Sequence, residues 1–587
     1  MKKAVLMSVF FAVFLVLSLN QIMSAQCNPN CQFSSHNIKL SDDLIGPVIL
    51  TGNNMVFDCQ GHSITGAGSG NGILVQGRQN VTIMNCKIRN FTKGIYIQGS
   101  VNASVLNSEI SKNNGYGIDV GESSAIIIQN NTLANNSGVG VTLYKSGYSI
   151  IRNNSVLNTS GDGVSVKFNS YNNITSNIIE KNSGSGVVVE GGEDGNWPAI
   201  GNNIIDNRIL NSGYASIVFY GNAVYNVVHS NTVRNQVYSV YFIGKDRGKE
   251  SNDVPRFNTF YNNIFTDNGQ INFNNVDYGS DRTTNTWNLA SVNCTLGRNI
   301  IGRGCWGGNF WQGYTGLDLD GNGIGDTSYP IPDQYSVTDY FPLVSVKCGE
   351  NVTQSADLVY DLQCNGTALH IMANNIALDC QGYAIQGNRS GYGINATNRV
   401  NVTVKNCHIH NFSIGIYSNN LRNSTLSTNK LRNNTERGIL LASSYDNAIY
   451  NNLFNNAVNA QDDGLNYFNI TKTAGTNIIG GSYIGGNFWS DYAGEDTDDD
   501  GIGDTNLPYN SSNNIINGGD YLPLVYSSGG EGYTVVEITA CRELNESNTY
   551  YNLTTQVLTN ITCFNVTAEN VTLDCVNWSN TVVYGNV

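Results

Sequence analysis

A short apolar strand opened by glycine returns every 22 or 23 residues: Gly72-Ile73-Leu74-Val75, Gly94-Ile95-Tyr96-Ile97, Gly117-Ile118-Asp119-Val120, Gly140-Val141-Thr142-Leu143, Gly163-Val164-Ser165-Val166 and Gly186-Val187-Val188-Val189. A second apolar stretch lies between these strands and ends in asparagine, at Asn85, Asn107, Asn130 and Asn153, and a third follows at Lys87-Ile88 and Glu109-Ile110. A strand advances about 3.3 Å per residue, so three short strands and their turns fit one circuit of a narrow prism. Alternate side chains then point inward and stack on the same position of the next coil, and the core grows rung by rung. The expected fold is all-β, a right-handed parallel β-helix (solenoid) of about 22–24 residues per coil. A leucine-rich repeat has a similar period, but its leucine spacing is missing. The recurring asparagines should form a ladder at one corner, because asparagine tolerates the left-handed backbone a tight corner needs.

Composition agrees. The chain has 63 Gly and 9 Pro, and 13% of its residues are charged. Glycine and asparagine are poor helix formers, whereas a hydrophobic share of 40% is enough for a packed core. The net charge of -14 argues against nucleic acid as a partner, since phosphate binding needs a basic surface.

The pattern repeats on a larger scale. Asp58-Cys59-Gln60-Gly61 returns as Asp379-Cys380-Gln381-Gly382, and Asn85-Cys86-x-Ile88 as Asn406-Cys407-x-Ile409. Gly307-Gly308-Asn309-Phe310-Trp311 returns as Gly485-Gly486-Asn487-Phe488-Trp489, and Asp339-Tyr340-Phe341-Pro342-Leu343 as Asp520-Tyr521-Leu522-Pro523-Leu524. Two modules with the same head and tail are expected, over residues 26–345 and, shorter, 346–527. Residues 528–587 read as a linker and the start of a third, incomplete module, Leu573-Asp574-Cys575 resembling the earlier heads. The chain therefore reads as part of a longer array.

Residues 1–25 have the form of a signal peptide: Lys2-Lys3, an apolar run from Ala4 to Leu17, and small residues at Ser24-Ala25. No later apolar run reaches the length of a membrane span. Sequons such as Asn80, Asn102, Asn351, Asn401 and Asn565 are compatible with a glycoprotein. The 13 cysteines also suit an oxidising compartment. Cys59 and Cys86 fall at equivalent positions of adjacent coils, as do Cys380 and Cys407, so each pair is expected to be a disulfide. Proximity suggests Cys27–Cys31, Cys294–Cys305, Cys348–Cys364 and Cys541–Cys563 as well. Cys575 is left over.

The sharpest chemical motif occurs twice. In the first copy Asp318, Asp320, Asn322 and Asp326 supply side-chain oxygens at loop positions 1, 3, 5 and 9, with Gly323 at the sharp turn and a backbone carbonyl from Ile324. In the second, Asp496, Asp498, Asp500 and Asp504 do the same around Gly501 and Ile502. This oxygen spacing is that of a calcium loop, although position 12 is Tyr329 or Leu507 rather than the bidentate glutamate. The loops look like the shorter calcium loops of dockerin-like or thrombospondin type 3 repeats, and calcium is the expected cofactor.

Taken together, the Gly-Ile-x-Val coils, the Asn-Cys-x-Ile step and the closing Gly-Gly-Asn-Phe-Trp…Asp-Gly-Ile-Gly-Asp…Asp-Tyr-x-Pro-Leu segment resemble NosD-like right-handed β-helix proteins. These are grouped with the carbohydrate-binding and sugar-hydrolysis β-helix domains. The first copy departs by carrying Asn322 where the second has Asp500. The resemblance spans most of residues 40–345 and 365–527. It implies an exported or cell-surface protein with a carbohydrate or metal role.

Fold is not function, so a catalytic role must rest on particular residues. Asp119 has Thr142 and Ser165 as rung equivalents, and Asp162 lies out of register in a turn; both read as solvent-exposed. His62 lacks the Gly-His-Gly setting of polygalacturonases, and the Asp-Pro-His signature of uronate epimerases is missing. His408 and His410 share a strand face and read as surface residues. Tyr144, Tyr148, Tyr220, Tyr225, Tyr238 and Tyr241 suit sugar rings, and residues 191–250 break the period, which makes them the expected place for a ligand groove. The expected function is non-enzymatic glycan binding or a surface-structure role for an extracellular or cell-surface protein, with calcium-stabilised module ends and a polysaccharide or surface glycan as partner. The alternatives are a polysaccharide lyase, hydrolase or epimerase, and NosD-like copper handling.

Overall fold

A computed structural model describes residues 30–192, 197–234, 237–244, 254–266, 270–274, 285–332, 337–526, 534–538, 540–546, 549–553, 563–568 and 571–574. The expected signal peptide, Cys27, Cys575 and the inserted segments 193–196 and 245–250 lie outside the described residues.

The solenoid is as the period requires. Every third strand pairs in parallel, and three sheets run the length of the first unit, with 11, 10 and 11 strands. We call them sheets I, II and III, in the order the chain visits them. The Gly-Ile-x-Val strands form sheet I, with Ile95 opposite Ile73 and Ile118 and Ile97 opposite Val75 and Val120. Val105 of sheet II lies over Ile83 and under Ile128. These inward side chains merge into one continuous core. The opening glycines are needed for close approach: a Cβ on Gly94 would come within 2.7 Å of the Gly117 carbonyl oxygen, and one on Gly163 within 2.7 Å of Gly186. The second unit has the same plan in three six-stranded sheets around its own core. Contacts divide the chain into Met1–Ile300 with Cys305–Val344, and Ile301–Gly304 with Ser345–Val587. Within the second of these, apart from its three six-stranded sheets, Thr534–Ile538, Thr549–Leu553 and Thr572–Asp574 pair as a short parallel sheet.

Asn85, Asn107, Asn130 and Asn153 are left-handed, with φ between 48° and 56°, and the Asn130 amide donates to Asn107 Oδ1 at 3.2 Å. The dominant ladder, however, is built one residue later, on the inside. Asn131, Asn154 and Asn177 are buried, and each gives its backbone N–H and its side-chain amide to the Oδ1 of the next. The ladder starts at the Cys86 N–H, passes Ser108, Asn131, Asn154, Asn177, Asn207, Asn231 and Asn263, and reaches Asn309. An Asn amide both donates and accepts, so it can relay the pattern from rung to rung but cannot end it.

Asp339 ends it. Its Oδ2 accepts from the Asn309 N–H at 2.7 Å and the Trp311 indole at 2.8 Å, and its Oδ1 from the Phe341 N–H at 3.0 Å. The second unit repeats the device from Cys407 through Asn429, Asn452 and Asn487 to Asp520, with Trp489 donating at 2.8 Å. A Cβ on Gly308 or Gly486 would overlap this carboxylate. The recurring tail motif is therefore a carboxylate cap on the polar spine. Burial pushes both carboxyls up to about 7, against four N–H donors that hold them down.

Among the described residues, five disulfides join expected partners: Cys59–Cys86, Cys294–Cys305, Cys348–Cys364, Cys380–Cys407 and Cys541–Cys563. The adjacent-coil pairs have Cα atoms 4.8 and 4.7 Å apart, one rung.

Candidate functional sites

The acidic loops hang from the caps. Ile324 bridges to Leu343 and Ile502 to Leu524, so each loop is pinned to the Pro-Leu end of its tail motif. In the second loop Asp496 folds over the turn, accepting from the Asp500 N–H at 3.2 Å and the Gly501 N–H at 2.7 Å. The Ile502 N–H closes on Asp500 Oδ1 at 2.9 Å. Oxygens of Asp496, Asp498 and Asp504 come within 4.8 Å of one another. Asp500 instead pairs with Lys472. The hydroxyl and N–H of Thr497 hold the Asp504 carboxyl below its usual range. The first loop has the same frame: Asp318 accepts from Asn322 and Gly323, and Asp326 from the Leu319 N–H. There Asp320 is engaged by the Asn322 amide at 2.7 Å. An oxygen-only set of three carboxylates fits a hard cation such as calcium.

A second arrangement lies on the outward face of sheet I in the first unit. Rung register places Asp119, Thr142, Ser165, Val188, Val218 and Tyr241 in one column. The neighbouring column carries Tyr144, Lys167, Glu190 and Tyr220. Asp119 is not a free surface acid: Lys93 binds it at 2.6 Å while lying 3.9 Å over the Tyr96 ring. Lys167 pairs with Glu190 at 3.1 Å. Asp162 is half-buried rather than exposed, because its Oδ1 accepts the Ser185 N–H at 2.8 Å from the next coil. Burial raises its pKa, against that hydrogen bond and Lys167 and helped by Glu190. Thr142 and Ser165 are buried although they point outward, and their hydroxyls have no hydrogen-bond partner. Next to them Ala215, Val218 and Tyr241 form a small apolar cluster with Val188, Tyr238 and Ile243. The face is thus recessed, with acid, base, hydroxyl and apolar surface side by side. A single coil does not show it, because Lys167 meets Glu190, and Asp162 the Ser185 N–H, only across a rung.

The histidines also differ from expectation. His410 is buried, and burial, with Lys430 and Arg432 beside it, lowers His408 to about 4. Both histidines stack over Lys430 and Arg432. Soft copper sites want His, Cys and Met together; the cationic neighbours here oppose a metal ion, and the one acidic or soft-ligand group of three among the described residues is Asp496, Asp498 and Asp504. Among the described residues, the histidines therefore do not fit copper. His62 lies 3.5 Å from the exposed Asp43. No described helix is long and apolar enough to cross a membrane.

Comparison with known proteins agrees with the architecture. Residues 71–233 match the family described as right handed beta helix region, and residues 197–316 and 344–494 match periplasmic copper-binding protein (NosD). No curated protein matches the chain. Among solved structures, the Dettilon tailspike protein aligns at 15% identity over 45% of this chain and 63% of its own, with a TM-score of 0.33. The A-module of the Azotobacter vinelandii mannuronan C-5 epimerase AlgE6 aligns at 16% over 46% and 77%, with a TM-score of 0.35. A PL6 family alginate lyase aligns at 11% over 97% of both chains, with a TM-score of 0.36. Repeat, sheet order and family matches converge: this chain folds as a right-handed parallel β-helix, with segments similar to the NosD family.

Proposed function

We propose that this is an exported carbohydrate-active β-helix protein whose longer module holds a polysaccharide across the recessed outward face of sheet I. The observation that carries the reading is the outward face of sheet I, with the Lys167–Glu190 pair and the unpartnered hydroxyls of Thr142 and Ser165, and, in the turn leading into the strand of Ser165 and Lys167, the half-buried Asp162 carboxyl, raised by burial. A carboxyl displaced toward neutrality next to a lysine suits acid–base chemistry on a sugar. That supports a lyase, epimerase or hydrolase. Disulfides in both units support an oxidising, exported setting.

The test is to incubate the full chain with neutral and uronic-acid polysaccharides and follow unsaturated products, reducing ends and, by proton NMR, epimerised residues. Asp162→Asn keeps the acceptor for the Ser185 N–H, so the rung survives while turnover falls about 100-fold or more. No product and no binding from any polysaccharide refutes the reading. Binding without product supports the second reading, a non-catalytic glycan binder or surface-layer element, which the exposed tyrosines Tyr148, Tyr171 and Tyr225 favour.

Calcium belongs to the same proposal: bound by Asp496, Asp498 and Asp504, it would stiffen the end of the shorter module, with Asp318, Asp320, Asn322 and Asp326 as the corresponding set in the longer one. Calorimetric titration should give heat that Asp496→Ala with Asp498→Ala removes; no heat from the intact chain would end this part.

A further inference from the structure

A narrow side joins sheet I to sheet II, marked by the bridges Gln79–Val101–Ser124–Gly147. From Asn80 onward, one residue per rung at its far corner is left-handed, one or two positions before the sheet II strand. The early rungs fill it with Asn80, Asn102 and Ala125. The later rungs fill it with Tyr148, Tyr171, Gly201, Tyr225 and Phe257, all with φ between 56° and 66°.

A bulky ring is a poor choice for this conformation, which disfavours any side chain with a Cβ other than that of Asn or Asp. It is also a poor choice for a wet corner, yet Tyr148, Tyr225 and Tyr171 are 67%, 58% and 51% exposed. The rings stack in two pairs, Tyr148 on Tyr171 at 5.3 Å and Tyr225 on Phe257 at 5.0 Å. Such stacking does little more than offset the backbone cost, so folding does not account for the swap from asparagine to aromatic. Gly201 separates the pairs and has no side chain; the Tyr171 ring passes 2.9 Å from where its Cβ would be. The adjoining sheet II face offers amides, with Asn203 Nδ2 donating to Asn173 Oδ1 at 2.8 Å.

We propose that this corner strip, Tyr148 to Phe257, is a docking surface for a neutral glycan chain, its pyranose rings lying on the tyrosines and its hydroxyls reaching Asn173 and Asn203. A sugar ring has the flat C–H face that exposed aromatics match and the hydroxyl rim that amides bind. A net charge of -14 selects against a polyanion. The strip deepens the carbohydrate reading and rests on it, but its residues are not Asp162, Lys167 or Glu190, and it holds the chain without turning it over.

The test is affinity electrophoresis of the full chain in native gels containing glucomannan, hydroxyethylcellulose or soluble starch. The variant is Tyr148→Asn with Tyr171→Asn and Tyr225→Asn, which installs the residue that Asn80 and Asn102 already carry in this column. At least one neutral gel should retard the intact chain, and the variant should lose about tenfold or more in affinity with an unchanged or higher urea midpoint. Lys87→Met, an exposed position on sheet III, should keep full retardation. The proposal falls if no neutral gel retards the intact chain, if the variant is retarded as strongly, or if its midpoint drops, which would make the rings structural. Retardation lost in Lys167→Met but kept in the tyrosine variant would overturn the strip and leave the sheet I reading standing.

Discussion

Replacing Asn177 with alanine tests the buried spine directly. Asn177 Oδ1 accepts from the Asn154 N–H at 2.9 Å and from its amide at 3.0 Å. Asn177 Nδ2 donates to the Ile151 carbonyl and to Asn207 Oδ1, both at 2.9 Å. Alanine removes all four bonds. The Asn154 amide keeps its bond to the Ile128 carbonyl at 2.9 Å, but the Asn154 N–H is left buried without an acceptor. One orphaned buried donor costs about 1–3 kcal/mol, and the three further lost bonds about 1 kcal/mol each, so Asn177→Ala should cost roughly 4–6 kcal/mol. The control is Asn130→Ala. It loses one exposed bond to Asn107 and puts a Cβ without a polar group at φ 56°, for a total of about 1–2 kcal/mol. Solenoids open rung by rung, so hydrogen exchange read by mass spectrometry is the right assay. Peptides over residues 150–180 should lose protection strongly in Asn177→Ala and slightly in Asn130→Ala. Equal effects, or a cost below about 1 kcal/mol for Asn177→Ala, would show that the spine carries no such load.

The caps make stability fall with pH. Asp339 and Asp520 hold their protons up to about 7 in the folded chain, whereas an unfolded carboxyl releases its proton near 3.8. The folded state binds more protons between these limits, so the contribution is whole below 3.8, declines as pH rises and is gone above about 7. Each cap accounts for roughly 4 kcal/mol of that change. Asp339→Asn with Asp520→Asn should flatten the dependence of the urea midpoint on pH across this window; an unaltered slope contradicts the assignment. Cys59→Ser with Cys86→Ser opens a 27-residue loop and should cost about 3–4 kcal/mol by chain entropy, read as a lower thermal midpoint. Alkylation of the unreduced intact chain should leave these two cysteines unmodified; labelling at either would end the pairing.

The period alone determined the architecture of this chain. Glycine every 22 or 23 residues is legible because a Cβ there would strike the next rung's carbonyl, a constraint that acts at each coil separately. The head and tail motifs and the adjacent-coil cysteines are legible for the same reason: a translation of one rung maps each onto its partner. The left-handed corners showed through Asn85, Asn107, Asn130 and Asn153. The Asn-Asn dipeptides at Asn130-Asn131 and Asn153-Asn154 held the signal for the buried ladder, but sequence does not say which of two neighbouring amides turns inward. Only the tertiary structure decided that, and only it joined Asp339 to Asn309 and Trp311, or brought Asp162 to the Ser185 N–H and Lys167 to Glu190. Those meetings depend on how turns of unequal length lay side chains from different rungs against one another, and burial and charge are properties of that stacking rather than of any single coil.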